Sequence, residues 1–355
     1  MKVFSRSGVS LIIIVGVLMG SLCIYGCQKT EEKNPGTAMD SGTSIAVFIP
    51  GVMAGSAIYE MLADGTIKAA NDFTAENPGK AATVTVIEGG FNQAEWENQV
   101  TTLAASGNYD LIVSSNPSLP EIVFSVSAKF PKQKFLLLDG ELAGNPNIYT
   151  LRYDQREQAY MAGYIAALAA LADEGPGGEK RLGLVAGQEY PVMNTIILPG
   201  FTDGARAVDP LFTVDFRVVG NWFDAAKGAE LAAGMIRSGA RVILPVAGGA
   251  GQGVVQAAAE AGAKVVWFDT NGYAIRPGTV IGSAILRQDR AAYEKVMLFL
   301  EGKLPFGSAE IAGTAAGFVD FIEEDPLYLE VVSLSIREKQ AELTSALRSG
   351  RLKLD

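Results

Sequence analysis

The feature of this chain that most restricts its fold is a twice-repeated alternation of short, almost wholly apolar runs with stretches of helical spacing. In the first series, residues 45–49 read as a strand that stops at Pro50-Gly51. A helical stretch from Ala57 to Phe73 follows, with Ile58, Met61, Leu62 and Ile67 near one face. Residues 83–87 form the next strand, and Asn92 is placed to cap a helix presenting Trp96, Val100 and Leu103. Strands at 111–113, ending in Ser114-Ser115-Asn116-Pro117, and at 134–139 complete the series. The second series has strands at 182–186, 214–219, 242–246 and 265–269, separated by helical runs near 195–207, 225–237 and 253–261. Strands apolar on both faces belong in parallel sheets covered by helices on either side. The expected class is therefore α/β, with two doubly wound parallel-sheet lobes. No residue-level repeat is visible, so the duplication is architectural. Residues 45–152 with about 281–330 are assigned to lobe 1, 153–280 to lobe 2, and 331–355 to a C-terminal helical segment. The run 280–285 reads as a strand returning towards the first lobe.

The N-terminus has the pattern of a targeting segment. Lys2 and Arg6 precede an apolar run, 11–22, too short for a comfortable membrane span, and the segment ends at Cys27. Residues 1–27 resemble a bacterial lipoprotein signal, with Cys27 the lipidated residue, although Ile24 and Tyr25 depart from the strict pattern. If cleavage falls before Cys27, Cys23 leaves with the signal and the mature fold holds no disulfide. Residues 28–44 have linker composition. The reading is a monomer tethered by lipid alone outside the cytoplasm, on the periplasmic side of an inner membrane. The chain has no histidine, which excludes Ser-His-Asp and Cys-His catalysis and the usual histidine metal sites. With 39 acidic against 29 basic residues, nucleic acid is not an expected partner.

Open parallel sheets bind ligands at the carboxyl ends of their strands. In lobe 1 those positions hold Pro50-Gly51, with Tyr59 a little beyond, Asn116 and Asp139. In lobe 2 they hold Gln188, Tyr190, Asn221, Trp222, Asp269 and Asn271, and Gln288 follows the returning strand. The stretch 219–224 is the focus, because a Trp and a Phe end a strand just before a helix-starting Asp. Trp222 suits stacking on a planar ring; equally, both aromatics could plug the sheet edge. None of the set is a nucleophile with an activating base. Aromatic faces, amides and carboxylates among apolar walls describe a binding pocket. Asp139 and Asp269 could face each other as a glycosidase pair, or accept hydrogen bonds from ligand hydroxyls. The run 248–253 lacks the Lys-Ser/Thr ending of a phosphate loop and reads better as a tight strand-to-helix turn. Trp96 and Trp267 read as core. Residues 323–325 read as a solvated face or, less simply, a docking surface.

The runs 110–113, 130–135, 158–163, 205–210 and 246–249 carry a resemblance to the basic-membrane-protein-type substrate-binding lipoproteins of ABC importers, a purine-nucleoside-binding group. Further runs, at 48–51, 114–117, 186–193, 219–227, 268–273 and 321–329, resemble the spirochaetal riboflavin-binding lipoproteins of that group. The resemblance implies a type I periplasmic-binding-protein fold with hinge crossovers, a solute held between the lobes, and ABC permease and ATPase partners. It implies no cofactor beyond the transported riboflavin or a related planar solute. In this family an acidic residue usually follows the first strand; Pro50-Gly51 stands there instead, and Tyr59 takes the place of a Phe. The family's second stacking Phe falls on Trp222 and its ribose-binding Asp on Asp269. The implied pose sets the isoalloxazine between Tyr59 and Trp222. Asn116 and Gln188 lie at its edge, with Asp139, Asp269 and Asn271 near the ribityl tail.

Overall fold

The computed structural model describes residues 42–174 and 179–354. The signal segment, Cys27, nearly all of the linker and most of the loop at 173–179 lie outside the described residues. Among the described residues no helix is long and apolar enough to cross a membrane.

Lobe 1 is built on strands β1 (Thr43–Ile49), β2 (Ala82–Glu88), β3 (Leu111–Ser115), β4 (Lys134–Leu138), β5 (Ile148–Tyr153) and β11 (Ala309–Ala312). They lie in the order β11-β5-β4-β3-β1-β2, all parallel. Lobe 2 uses β6 (Arg181–Ala186), β7 (Thr213–Val218), β8 (Val242–Val246), β9 (Lys264–Asp269), β10 (Val280–Leu286) and β12 (Val319–Phe321) in the order β12-β10-β9-β8-β6-β7. Only β12 runs antiparallel, at the sheet edge. The central strands are solid core: Ile45 to Ile49 and Leu111 to Val113 are at most 1% exposed. Edge strand β2 instead alternates half-buried and exposed residues, as a strand with one covered face should.

Helices α1 (Ala57–Glu76), α2 (Trp96–Ser106) and α3 (Leu119–Lys129) cover the first sheet. The second carries α4 (Gln155–Glu174), α5 (Leu198–Val208), α6 (Ala225–Arg237) and α7 (Gly251–Ala261). Small residues let α4 and α5 touch backbone to backbone. A methyl group at Gly163 would collide with the Phe201 carbonyl, and one at Gly204 with the Tyr160 carbonyl.

The chain passes between the lobes three times. After β5 it enters α4; after β10 it enters α8 (Gln288–Leu300), which packs on α1; after β11 it returns to β12. Hydrogen bonds knit these passages together. Asp154 N donates to Ala312 O at 3.0 Å and Arg287 N to Phe318 O at 2.9 Å. Thr314 N donates to Glu157 Oε2 at 2.6 Å. The C-terminal helices α9 (Pro326–Val331) and α10 (Leu334–Arg348) follow, and Arg348 fixes α10 through Asp320 at 2.7 Å and Glu323 at 3.3 Å.

Three expectations need correction. Residues 281–330 are not all lobe 1: β10 leads towards that lobe but pairs with β9, Ser283 opposite Trp267, and β12 joins β10 in the second sheet. Strands β5, β11 and β12 were not foreseen. In β5 the polar residues Thr150 and Arg152 interrupt the apolar run, although Thr150 is fully buried. Residues 323–325 are not simply a solvated face. Asp325 caps α9 at Leu327 N, 2.9 Å, and Glu323 pairs with Arg348.

Because the α4–α5 contact has no room for a methyl group, Gly204→Ala should lower unfolding stability by about 1–3 kcal/mol, read by urea denaturation. An unchanged midpoint would rule out this packing.

Candidate functional site

Two acids stand at matching places. Asp139 follows β4 and Asp269 ends β9, each at the carboxyl end of its strand. Both have left-handed backbones, φ 54° and 72°, and among the described residues no other non-glycine does. An L-residue held there costs energy that surrounding structure must supply, a pattern that clusters at ligand sites. Burial pushes the Asp139 carboxyl up to about 7, helped by the charge of Asp269 and opposed by Arg152. Burial pushes Asp269 up to about 6, opposed by a hydrogen bond from Gln158. The acids therefore face each other closely enough that one disfavours ionisation of the other.

Two tyrosines flank the pair. The hydroxyls of Tyr190 and Tyr153 are raised first by burial and then by the charges of Asp139 and Asp269, with Asp289 adding to Tyr153. On the lobe 1 side, Tyr59 in the first turn of α1 donates to Pro50 O at 3.1 Å and accepts from Asn116 Nδ2 at 3.4 Å. Its hydroxyl is raised mainly by burial; Asn116 opposes and the charge of Asp139 adds. Asn116 in turn receives Ser118 N at 2.9 Å through Oδ1, which turns the chain into α3.

On the lobe 2 side, Trp222 rests on backbone. A Cβ at Gly187 would lie 2.5 Å from its ring, and one at Gly248 3.0 Å from its carbonyl. The glycine run after β8 is thus the seat of this loop and the start of α7. The Trp222 indole donates to Gln188 Oε1 at 3.2 Å, its centroid lies 6.0 Å from that of Tyr190, and 37% of the residue is exposed. Asn221 accepts Phe223 N and Asp224 N, and Asp224 caps α6 at Lys227 N, 2.9 Å. At the rim, Phe223 of lobe 2 meets Phe91 of lobe 1, centroids 5.9 Å apart.

The structure therefore brings Tyr59, Asn116 and Asp139 together on one lobe, and Gln188, Tyr190, Trp222 and Asp269 on the other. Three other residues are engaged elsewhere. Asn221 holds its own turn through Oδ1. Asn271 donates to Asp325 Oδ2 at 2.9 Å and accepts Tyr273 N at 3.1 Å, tying the end of β9 to the C-terminal segment. Gln288 is fully buried: it receives Ser115 Oγ at 3.1 Å and Tyr153 Oη at 3.0 Å, and donates to Ile58 O at 3.1 Å. It braces the lobe 1 wall from beneath. Trp96 and Trp267 bond internally, to Gly90 O and Thr270 Oγ1.

Sequence reasoning did not place Gln158, Tyr153 or Phe91 in the site. Gln158 gave one usable signal, a polar residue where α4 passes into its small-residue run. Among the described residues no cluster of three or more Cys, Asp or Glu side chains could hold a metal. Two surface grooves, about 440 Å³ beside Met61 and Tyr293 and about 670 Å³ beside Tyr109 and Phe130, include none of these residues. What these residues offer is aromatic faces that suit a flat ring and two acids, each able to donate or accept near neutral pH.

The Bmp family, described as ABC transporter substrate-binding protein PnrA-like, matches residues 42–352. The chain is 30% identical over 151 residues to an ABC transporter nucleoside-binding protein of Lactococcus lactis, covering 42% of this chain and 41% of that one. It is 25% identical over 251 residues to basic membrane protein D of Borreliella burgdorferi, covering 68% and 71%. The chain spans about two fifths of the length of the first curated relatives it matches, 41–43%. In fold it is similar to an ABC-system solute-binding protein of Aeropyrum pernix, with TM-score 0.73, 24% identity and coverage of 88% and 93%.

Raised acids bind protons more readily in the folded chain than in the unfolded one, where Asp titrates near 3.9. Their contribution to stability is full below about pH 4 and is lost as pH rises through about 6 and about 7. Asp139→Asn, a residue that tolerates the same backbone, should thus raise the melting temperature at pH 8 and change it little at pH 4. Equal effects at both pH values would contradict the buried acid pair.

Proposed function

The chain belongs to the Bmp family of PnrA-like ABC transporter substrate-binding proteins, and we propose that it captures riboflavin between its lobes and delivers it unaltered to an ABC permease. The observation that carries this reading is the pairing of an exposed indole face beside Tyr190 with two acids at the strand ends of opposite lobes. A flat ring fits the aromatic side, and a hydroxylated tail fits the acids. Tyr59 supplies the facing aromatic and Asn116 and Gln188 the polar edge; Asp139 and Asp269 take the ribityl hydroxyls. A phosphorylated tail would meet these acids unfavourably, which favours the free vitamin. Cys27 is the proposed lipid attachment, placing the protein on the outer face of the inner membrane.

A second reading is favoured by the Lactococcus lactis relative, which is named as nucleoside-binding. A purine nucleoside has the same plan, a flat base with a hydroxylated sugar. Riboflavin and inosine titrations separate the two, and recovery of the ligand unchanged excludes hydrolysis by the paired acids. Riboflavin fluorescence should be quenched on binding. Trp222→Ala should weaken the complex through loss of one aromatic contact, 0.5–1.5 kcal/mol or roughly 2- to 13-fold, with the melting curve retained. Wild-type affinity in that variant would place the ring elsewhere, and binding of inosine alone would give the site to nucleosides.

A further inference from the structure

Gln158 is the fourth residue of α4, in the passage that carries the chain from lobe 1 into lobe 2, and it is fully buried. Its Nε2 donates to Asp269 Oδ1 at 3.0 Å and to the Ala284 carbonyl of β10 at 3.0 Å. The Ala284 carbonyl can only accept, so the amide presents its nitrogen there and the same nitrogen reaches Asp269; the flipped rotamer would set oxygen against the Ala284 oxygen. Its Oε1 is buried with no hydrogen-bond partner. After it α4 runs into apolar core, with Ala159, Met161 and Ala162 at 0% exposure, while Gln155, Arg156 and Glu157 precede it. A methionine here would fill the space without orphaning an acceptor, so packing alone does not account for an amide.

We infer that Gln158 is the positioning residue of the ligand site, holding the Asp269 carboxylate in place to accept a ligand hydroxyl and fastening it to β10. That strand leads directly into the second passage between the lobes. The inference rests on the reading of Asp269 as a hydroxyl acceptor. One side chain thereby touches the end of β9, the edge of β10 and the start of α4. The other groups around the acids do not supply this hydrogen bond. Asp139, at the end of β4, faces Asp269 with like charge. Arg152 of β5 acts on Asp139. Tyr190 and Tyr153 sense both acids, and Asp289 of α8 acts on Tyr153. Of all these, Gln158 is the one that favours the ionised form of Asp269.

The test is a carboxyl titration of the ligand-free chain by carbon-13 NMR, with the Asp269 signal assigned through Asp269→Asn. In Gln158→Met the Asp269 midpoint should rise by about one unit from its wild-type value. Gln158→Asn keeps an amide but withdraws it by one methylene, and should give the same upward shift if the methionine variant does not fold. In parallel, whichever of riboflavin and inosine binds wild type should bind either variant more weakly, with the deficit larger at pH 6 than at pH 8. An unmoved Asp269 midpoint in a folded variant overturns the inference, as does a loss of affinity equal at both pH values. Should neither ligand bind wild type, the proposed function fails, while the titration still judges Gln158.

Discussion

Everything at the site depends on two carboxylates held out of bulk water by the same architectural device in each lobe. A parallel sheet sends all its strand ends one way, so whatever follows β4 and β9 arrives at one face. Both Asp139 and Asp269 turn the chain with a left-handed backbone, and the chain passes between the two lobes three times. Desolvation then makes each acid reluctant to ionise. Within the fold Gln158 supplies Asp269 with one hydrogen bond, at 3.0 Å.

The stretch that ends β7 shows how one short segment serves both shape and site. Asn221 closes its turn and Asp224 caps α6, which leaves the aromatic residues between them projecting. Gly187 and Gly248 provide a flat seat under Trp222, and Gln188 fixes the tilt of the ring through its N–H. The indole is therefore held by the fold itself, with little side-chain freedom left to it.

Much of this was legible in the sequence, because apolar strand runs and helix spacing are local properties. Helix α6 falls where its pattern placed it, and the two-lobed α/β class follows from alternation alone. The misreadings arise where burial is decided by distant chain. Strand β5 carries Thr150 and Arg152 yet lies inside the first sheet, since β11, more than 150 residues later, covers its far side. Strand β10 looked like a return to lobe 1 because its apolar run names no partner; register with β9 decides that. At the site, residue type suggested Asn271 and Gln288, but their amides are taken by Asp325 and by Ser115, Tyr153 and Ile58. Gln158 escaped notice for the converse reason, that its partners Asp269 and Ala284 are over 110 residues away.

The ring contact between Phe91 and Phe223 has a consequence for how the two lobes meet at the rim. Both side chains remain largely open to solvent, 69% and 65%, so their meeting removes little apolar surface. A single such pair contributes on the order of 1 kcal/mol, too little to hold two domains shut unaided. The contact is thus a light latch across the rim, and parting it would expose little apolar surface that is not exposed already.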